Sequence, residues 1–192
     1  MDYLWTPWRY HYVTGSNAPN QRPGVPPELA AWPDDKHCVF CNLHSSAEYG
    51  AAPPPGLGLT PREADSFAHI VYRAEHCFVC LNAYPYSPGH VMVIPYVHQH
   101  SLVDLDEATT DELMRLGRRA EAVLRAAYSP QGINLGMNLG KAAGAGVDEH
   151  LHLHVLPRWF GDTNFMTVTA ETRVLPETLD MTWERLYTAF HP

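Results

Sequence analysis

Apolar and polar residues alternate most regularly in His150-Leu151-His152-Leu153-His154-Val155-Leu156, a pattern that predicts a β-strand. On such a strand Leu151, Leu153 and Val155 face a core, while His150, His152 and His154 project together from the opposite side. Further strands are predicted over 69–72, 76–82, 89–95 and 133–139, with Pro85, Pro88 and Gly89 shaping the tight connection before the third. Helical spacing appears twice. Leu113, Leu116, Ala120, Val123, Leu124 and Ala127 form the core stripe of a helix starting near Thr109, where Thr109 and Glu112 have capping-box spacing, and residues 130–132 end it. Leu179, Trp183, Leu186, Tyr187 and Phe190 mark a second helix over 176–190. Helices grouped beside a mainly antiparallel sheet define an α+β class.

Ahead of residue 69 the periodicity fades among prolines and small polar residues, including Pro53-Pro54-Pro55-Gly56. The expected organisation is an irregular N-terminal arm over 1–68 with a candidate zinc knuckle, a regular domain over 69–165, and an extension with a helix over 166–192. Trp5, Trp8 and Tyr10 imply that the arm docks, on its own domain or on a partner subunit.

Composition narrows the class. With 192 residues, 45% of them hydrophobic and 18% charged, the chain fits one globular domain with attachments. No apolar run approaches the roughly 20 residues needed to span a bilayer, and Met1-Asp2-Tyr3 does not open a secretion signal. A soluble, cytoplasmic protein without a membrane partner is expected. The net charge of -8 carries no basic block, which excludes broad affinity for long nucleic acid, so an anionic substrate must be met by a local site.

The four cysteines form two Cys-x-x-Cys pairs, Cys38 with Cys41 and Cys77 with Cys80. A four-thiolate zinc site is disfavoured, because Cys77 and Cys80 lie in a predicted strand where residues three apart face opposite sides. They read as packing residues. Cys38 and Cys41 follow a polar, loop-like stretch in which a chelating turn can form.

Same-face neighbours on a strand stand about 6.5–7 Å apart, so His150 and His154 cannot bind one small ion together. A distributed site fits better, with one imidazole reacting and its neighbours orienting it. A neutral imidazole attacks phosphorus once one ring nitrogen is held as a donor and the other keeps its lone pair. The loop Gly140-Lys141-Ala142-Ala143-Gly144-Ala145-Gly146 lies just before the histidines and can offer backbone N–H groups and the Lys141 charge to phosphate. Asp148 and Glu149 read as solvated loop charges.

The histidine segment, with the run from Asn82 through Gly89-His90-Val91-Met92-Val93-Ile94-Pro95, Asn138-Leu139-Gly140 and Pro157-Arg158-Trp159, resembles the histidine-triad (HIT) family. Leu4-Trp5-Thr6-Pro7-Trp8-Arg9 and Gly161-Asp162-Thr163-Asn164-Phe165 look like bacterial members described as diadenosine tetraphosphate phosphorylases or hydrolases. The resemblance implies a homodimeric α+β protein, with a HIT-like antiparallel sheet, one long helix and a C-terminal helix. It also implies an enzyme that cleaves an α-phosphate linkage of an adenine nucleotide or dinucleoside polyphosphate. His152 would be the nucleophile, His150 would hold its tautomer through the backbone, and His154 would contact phosphate.

Asn82, His90 and Asn138 match positions lining the nucleotide site. Lys141, Gly144, Gly146 and Val147 would meet phosphate, with backbone amides replacing the hydroxyl that many relatives carry before the triad. Relatives with a zinc site imply a structural Zn2+ on Cys38, Cys41, His98 and His150, with His100 a rival for His98. His154, where sugar-nucleotide transferases carry glutamine, disfavours a sugar-nucleotide substrate. Phosphorolysis and hydrolysis both stay open. So do two rivals, a metal-dependent phosphohydrolase and a non-catalytic nucleotide-binding module.

Overall fold

The computed structural model describes residues 22–162 and 176–192. Trp5, Trp8, Tyr10 and residues 163–165 lie outside the described residues. The framework is a five-stranded antiparallel sheet of β1 (Ile70–Arg73), β2 (Cys77–Leu81), β3 (Val91–Pro95), β4 (Gly132–Gly136) and β5 (Leu153–Arg158). The spatial order is β1-β2-β3-β5-β4, so β5 lies inside the sheet between β3 and β4, and β4 forms an edge.

Part of the expected irregular arm is helical. Helix α1 (Val39–Ala51) and helix α2 (Pro61–Phe67) precede the sheet. Helix α1 shows little hydrophobic period because Asn42, Ser46 and Gly50 are among its buried residues. Asn42 is fully buried yet satisfied. Its Nδ2 donates to Pro23 O and Asp35 Oδ1, both at 2.8 Å, and its Oδ1 accepts from Lys36 N at 2.7 Å. Helix α2 starts on a capping box of Thr60 and Glu63, with Pro61 in its first turn.

The sheet buries both faces. Val71, Cys77, Val79, Val93, Leu153 and Val155 pack on the long helix α3 (Glu107–Tyr128) and the C-terminal helix α4 (Leu179–Phe190). Ile70, Phe78, Cys80, Met92 and Ile94 pack with Leu29, Phe40, Ala47 and Ala64 of the preceding segment. Cys77 and Cys80 therefore face opposite sides, as their strand spacing required, and burial pushes each thiol up to about 12. Packed on opposite faces of the sheet, the two sulfurs cannot meet at one metal ion, and a protonated thiol is a poor nucleophile.

The start of α3 departs from expectation. Asp106, not Thr109, is the N-cap, and its carboxylate accepts from Thr109 N at 2.7 Å. Glu112 is buried and accepts from His76 N at 2.7 Å and Cys77 N at 2.8 Å, capping the start of β2. A tertiary demand from the buried Cys77 amide and the partly buried His76 amide outweighs the local box. The apolar stripe holds, with Leu113, Leu116, Ala120 and Leu124 buried, and burying each leucine contributes roughly 1.5–3 kcal/mol. Helix α4 docks through Trp183, whose Nε1–H donates to Ile70 O at 2.8 Å.

The histidine strand is shorter than its alternation suggests. Strand β5 begins at Leu153, so only His154 lies inside it, while His150 and His152 occupy its approach. The β3–β5 register pairs Val93 with Leu153, and continuing it would put Pro95 opposite Leu151. A proline has no N–H for the ladder. Leu151 N donates instead to Gln99 O at 2.7 Å. The facing persists nonetheless, with Leu151, Leu153 and Val155 all in the α3-side core.

Candidate active site

Four hydrogen bonds decide the tautomers of the histidine cluster. A carbonyl oxygen only accepts, so the 2.9 Å contact between His152 Nδ1 and His150 O places a proton on Nδ1 of His152. In the neutral ring the lone pair is then on Nε2. The same logic at 2.9 Å between His150 Nε2 and Pro95 O leaves His150 Nδ1 as its lone-pair nitrogen. Burial pulls His150 down to about 4 against the opposing Pro95 hydrogen bond, and burial lowers His152 as well, so both are neutral near pH 7.

His90 and His154 form a directed pair. Tyr86 N–H donates to His90 Nδ1 at 3.2 Å, which places the His90 proton on Nε2. His90 Nε2 lies 3.0 Å from His154 Nδ1 and donates to it, so neutral His154 carries its proton on Nε2. Gly89 permits this turn. Its φ is +79°, and a Cβ there would stand 2.8 Å from Tyr128 Cε2. The His152 and His154 rings meet edge-on, with centroids 4.8 Å apart. That is shorter than the strand repeat, because their imidazoles lean together.

Cys38 Sγ lies 3.3 Å from His150 Nδ1, Cys41 Sγ lies 3.5 Å from it, and Cys41 Sγ lies 3.4 Å from His98 Nδ1. All four donor atoms fall within 4.8 Å of one another. Tetrahedral zinc with bonds of about 2.3 Å to sulfur and 2.0 Å to nitrogen separates S and N by about 3.6 Å, close to these spacings. Cys38 is the N-cap of α1 and Cys41 stands in its first turn, so a helix start makes the knuckle where a loop was expected. Burial and the adjacent Cys38 push the Cys41 thiol up to about 12, so a nearby cation is needed to hold it as thiolate at neutral pH. His100 is excluded from this cluster. It is exposed and lies 4.0 Å from Asp104.

The remaining residues singled out in the sequence are less tightly gathered. Asn82 directly follows β2, where its Oδ1 accepts from Tyr84 N at 2.8 Å and its own N–H donates to His90 O at 2.9 Å. Asn138, Gly144 and Gly146 are exposed, and Val147 is buried in the second core cluster. Lys141 lies 3.8 Å from Asp148. The Gly144 amide donates to Lys141 O at 3.0 Å, so that amide serves the loop's own turn. Two contributors escaped the sequence reading. Pro95 supplies the carbonyl that orients His150, and Phe40 packs on both His150 and His152. Phe40 left one signal, an aromatic inside the Cys-x-x-Cys spacer.

A family model described as HIT domain matches residues 63–161. The chain belongs to the HIT family. The HIT match begins inside α2 and takes in the whole sheet and α3. A protein of Mycobacterium tuberculosis (strain CDC 1551 / Oshkosh) named AP-4-A phosphorylase is 36% identical over 176 residues, covering 92% of this chain and 77% of that one. The bis(5'-nucleosyl)-tetraphosphatase [asymmetrical] of Schizosaccharomyces pombe is 32% identical over 91 residues, covering 47% of this chain and 50% of that one. Among solved structures, a Zn-bound histidine triad family protein from Mycobacterium smegmatis aligns with a TM-score of 0.58 and 29% identity, over 80% of this chain and 93% of that one.

Proposed function

We propose that this HIT protein is a nucleotidyl hydrolase or transferase that cleaves an α-phosphate linkage of a dinucleoside polyphosphate such as diadenosine tetraphosphate. The observation carrying this reading is the His152 Nδ1–H bond to the His150 carbonyl, which leaves a neutral imidazole with its lone pair on Nε2. Nε2 attacks the α-phosphorus, a P–N bond forms, and the bridging P–O bond breaks with its electron pair going to the departing nucleotide. Water or inorganic phosphate then displaces His152. His154, protonated on Nε2 through its pairing with His90, donates a hydrogen bond to phosphate oxygen.

Asn82 and Asn138 are assigned to the nucleoside side and His90 to the positioning of His154. Lys141 and the amides of Gly146 and Val147 are assigned to phosphate, with Gly144, at φ +90°, letting the loop turn. The catalytic unit remains 69–165, with 1–68 and 166–192 as its attachments. Zinc on Cys38, Cys41, His98 and His150 would be structural, because four protein donors close a tetrahedron and leave no position for water. Bound there, it would neutralise the thiolates and tie α1 to the approach of β5. Reduced thiols at this cluster suit a cytoplasmic setting. A homodimer is supported by the edge strand β4 and by the exposed Leu135 within it and Leu139 just beyond it.

The deciding experiment incubates the protein with diadenosine tetraphosphate, with and without phosphate. ATP with ADP identifies phosphorolysis, and ATP with AMP identifies hydrolysis. Intact substrate together with no nucleotidyl adduct on denatured protein overturns the reading in favour of a binding module.

A further inference from the structure

The Nδ1 hydrogen bond holds one corner of the His152 ring, but a single bond leaves the ring plane free to swing. Two side chains flank it. His154 stands edge-on at 4.8 Å, and Phe40 lies with its centroid 5.1 Å away, tilted by 57°. Phe40 also meets His150 edge-on at 5.5 Å, at an interplanar angle of 89°. It is 4% exposed, so its ring has little room to relax away. Its place in the chain, between Cys38 and Cys41, ties its position to the two sulfurs that lie 3.3 and 3.5 Å from His150 Nδ1.

We propose that Phe40 is a positioning residue, whose ring is set by the cysteine knuckle and holds the His152 imidazole plane against His154 for attack through Nε2. This rests on the reading of His152 as nucleophile. The knuckle then reaches the nucleophile by two routes, through the His150 carbonyl to Nδ1 and through the Phe40 ring to the imidazole face. Metal bound to the cysteines would act on attack geometry while staying outside the reaction.

The test compares Phe40→Leu and Phe40→Ala with the unmodified full chain. It measures zinc content, thermal melting, kcat and KM on diadenosine tetraphosphate, and the 15N–1H correlations of the His152 ring without substrate. Phe40→Leu keeps an apolar side chain of similar reach without the flat ring, so it carries the result if Phe40→Ala unfolds. In Phe40→Leu, zinc and fold should be retained, kcat should fall about tenfold, and KM should move less than about twofold. The His152 ring signals should broaden or shift toward mixed tautomers. A folded variant with an unchanged His152 spectrum overturns the proposal. An accompanying rise in KM would make Phe40 a ligand contact. A Phe40→Leu chain that cannot fold or hold metal also overturns it, since the residue then serves the knuckle alone. If the unmodified chain turns over no nucleotide, the proposed function fails separately, because the spectra still report ring positioning.

Discussion

The ring of His152 donates from Nδ1 to the backbone carbonyl of His150, two residues earlier, at 2.9 Å. One residue thereby does two jobs with different atoms. The His150 carbonyl sets the tautomer of the His152 ring, while its own Nδ1 meets the two cysteines. The proposed nucleophile and the candidate metal centre are neighbours by covalent connection.

Replacing His152 with alanine should lower turnover by about three orders of magnitude or more, since it removes the proposed nucleophile. Melting should shift little. Steady-state kinetics beside a thermal melt checks both, and normal turnover would refute the assignment.

His90→Leu removes the donor that faces His154 Nδ1 at 3.0 Å. The lost buried hydrogen bond should cost about 1–3 kcal/mol of stability. Turnover should fall about 10–100-fold as the His154 tautomer becomes mixed. Urea titration and kinetics measure the two effects, and an unchanged kcat would separate His90 from the reaction.

Cys38→Ser removes one of four clustered donors. The purified variant should contain far less zinc than the unmodified chain and melt earlier. Chelation of the unmodified chain should give the same shift, reversed by adding zinc. Metal content by atomic absorption with paired melts tests this, and equal zinc in both proteins would reject the ligand set.

Glu112→Leu should act on stability alone. It strips the buried Cys77 amide and the partly buried His76 amide of their acceptor, at a cost of about 2–4 kcal/mol. Activity per folded molecule should be unchanged, which kinetics well below the melting temperature would show.

Acid should weaken the fold in a defined window. His150 is held down to about 4 by burial, whereas the unfolded chain titrates it near its ordinary value of about 6.5. Between those values the unfolded chain binds more protons, so stability is full above about pH 6.5 and is lost as pH falls toward 4. The loss from His150 should be roughly 3 kcal/mol, with His152 acting in the same direction. A cation on His150 Nδ1 steepens the change, because proton and metal compete for one lone pair. Denaturant titrations across pH 4–7 test it, and a flat profile would contradict the burial of His150.

Some of this was legible because it is written in local periods. Alternation assigned Leu151, Leu153 and Val155 to the core and the three histidines to the other face, and helical spacing found α3 and α4. The three-residue offset of Cys77 and Cys80 was enough to separate them. Helix α1 stayed hidden because its buried face includes Asn42, Ser46 and Gly50, which carry no hydrophobic signal. The cap of α3 was misassigned because Glu112 answers amides 36 and 35 residues away.

Residue type and spacing by themselves determined the family, the sheet-and-helix class and the set of imidazoles and thiols available for chemistry. Only the tertiary structure decided how those groups divide the work. It chose His98 over His100, made His90 the hydrogen-bond partner of His154, and brought Phe40 against His152. A period records which side a residue faces, because backbone geometry repeats. The ligand set and the tautomers of His150 and His154 depend on contacts between residues about 50–110 apart, and these exist only once β3, β5 and α1 have packed together.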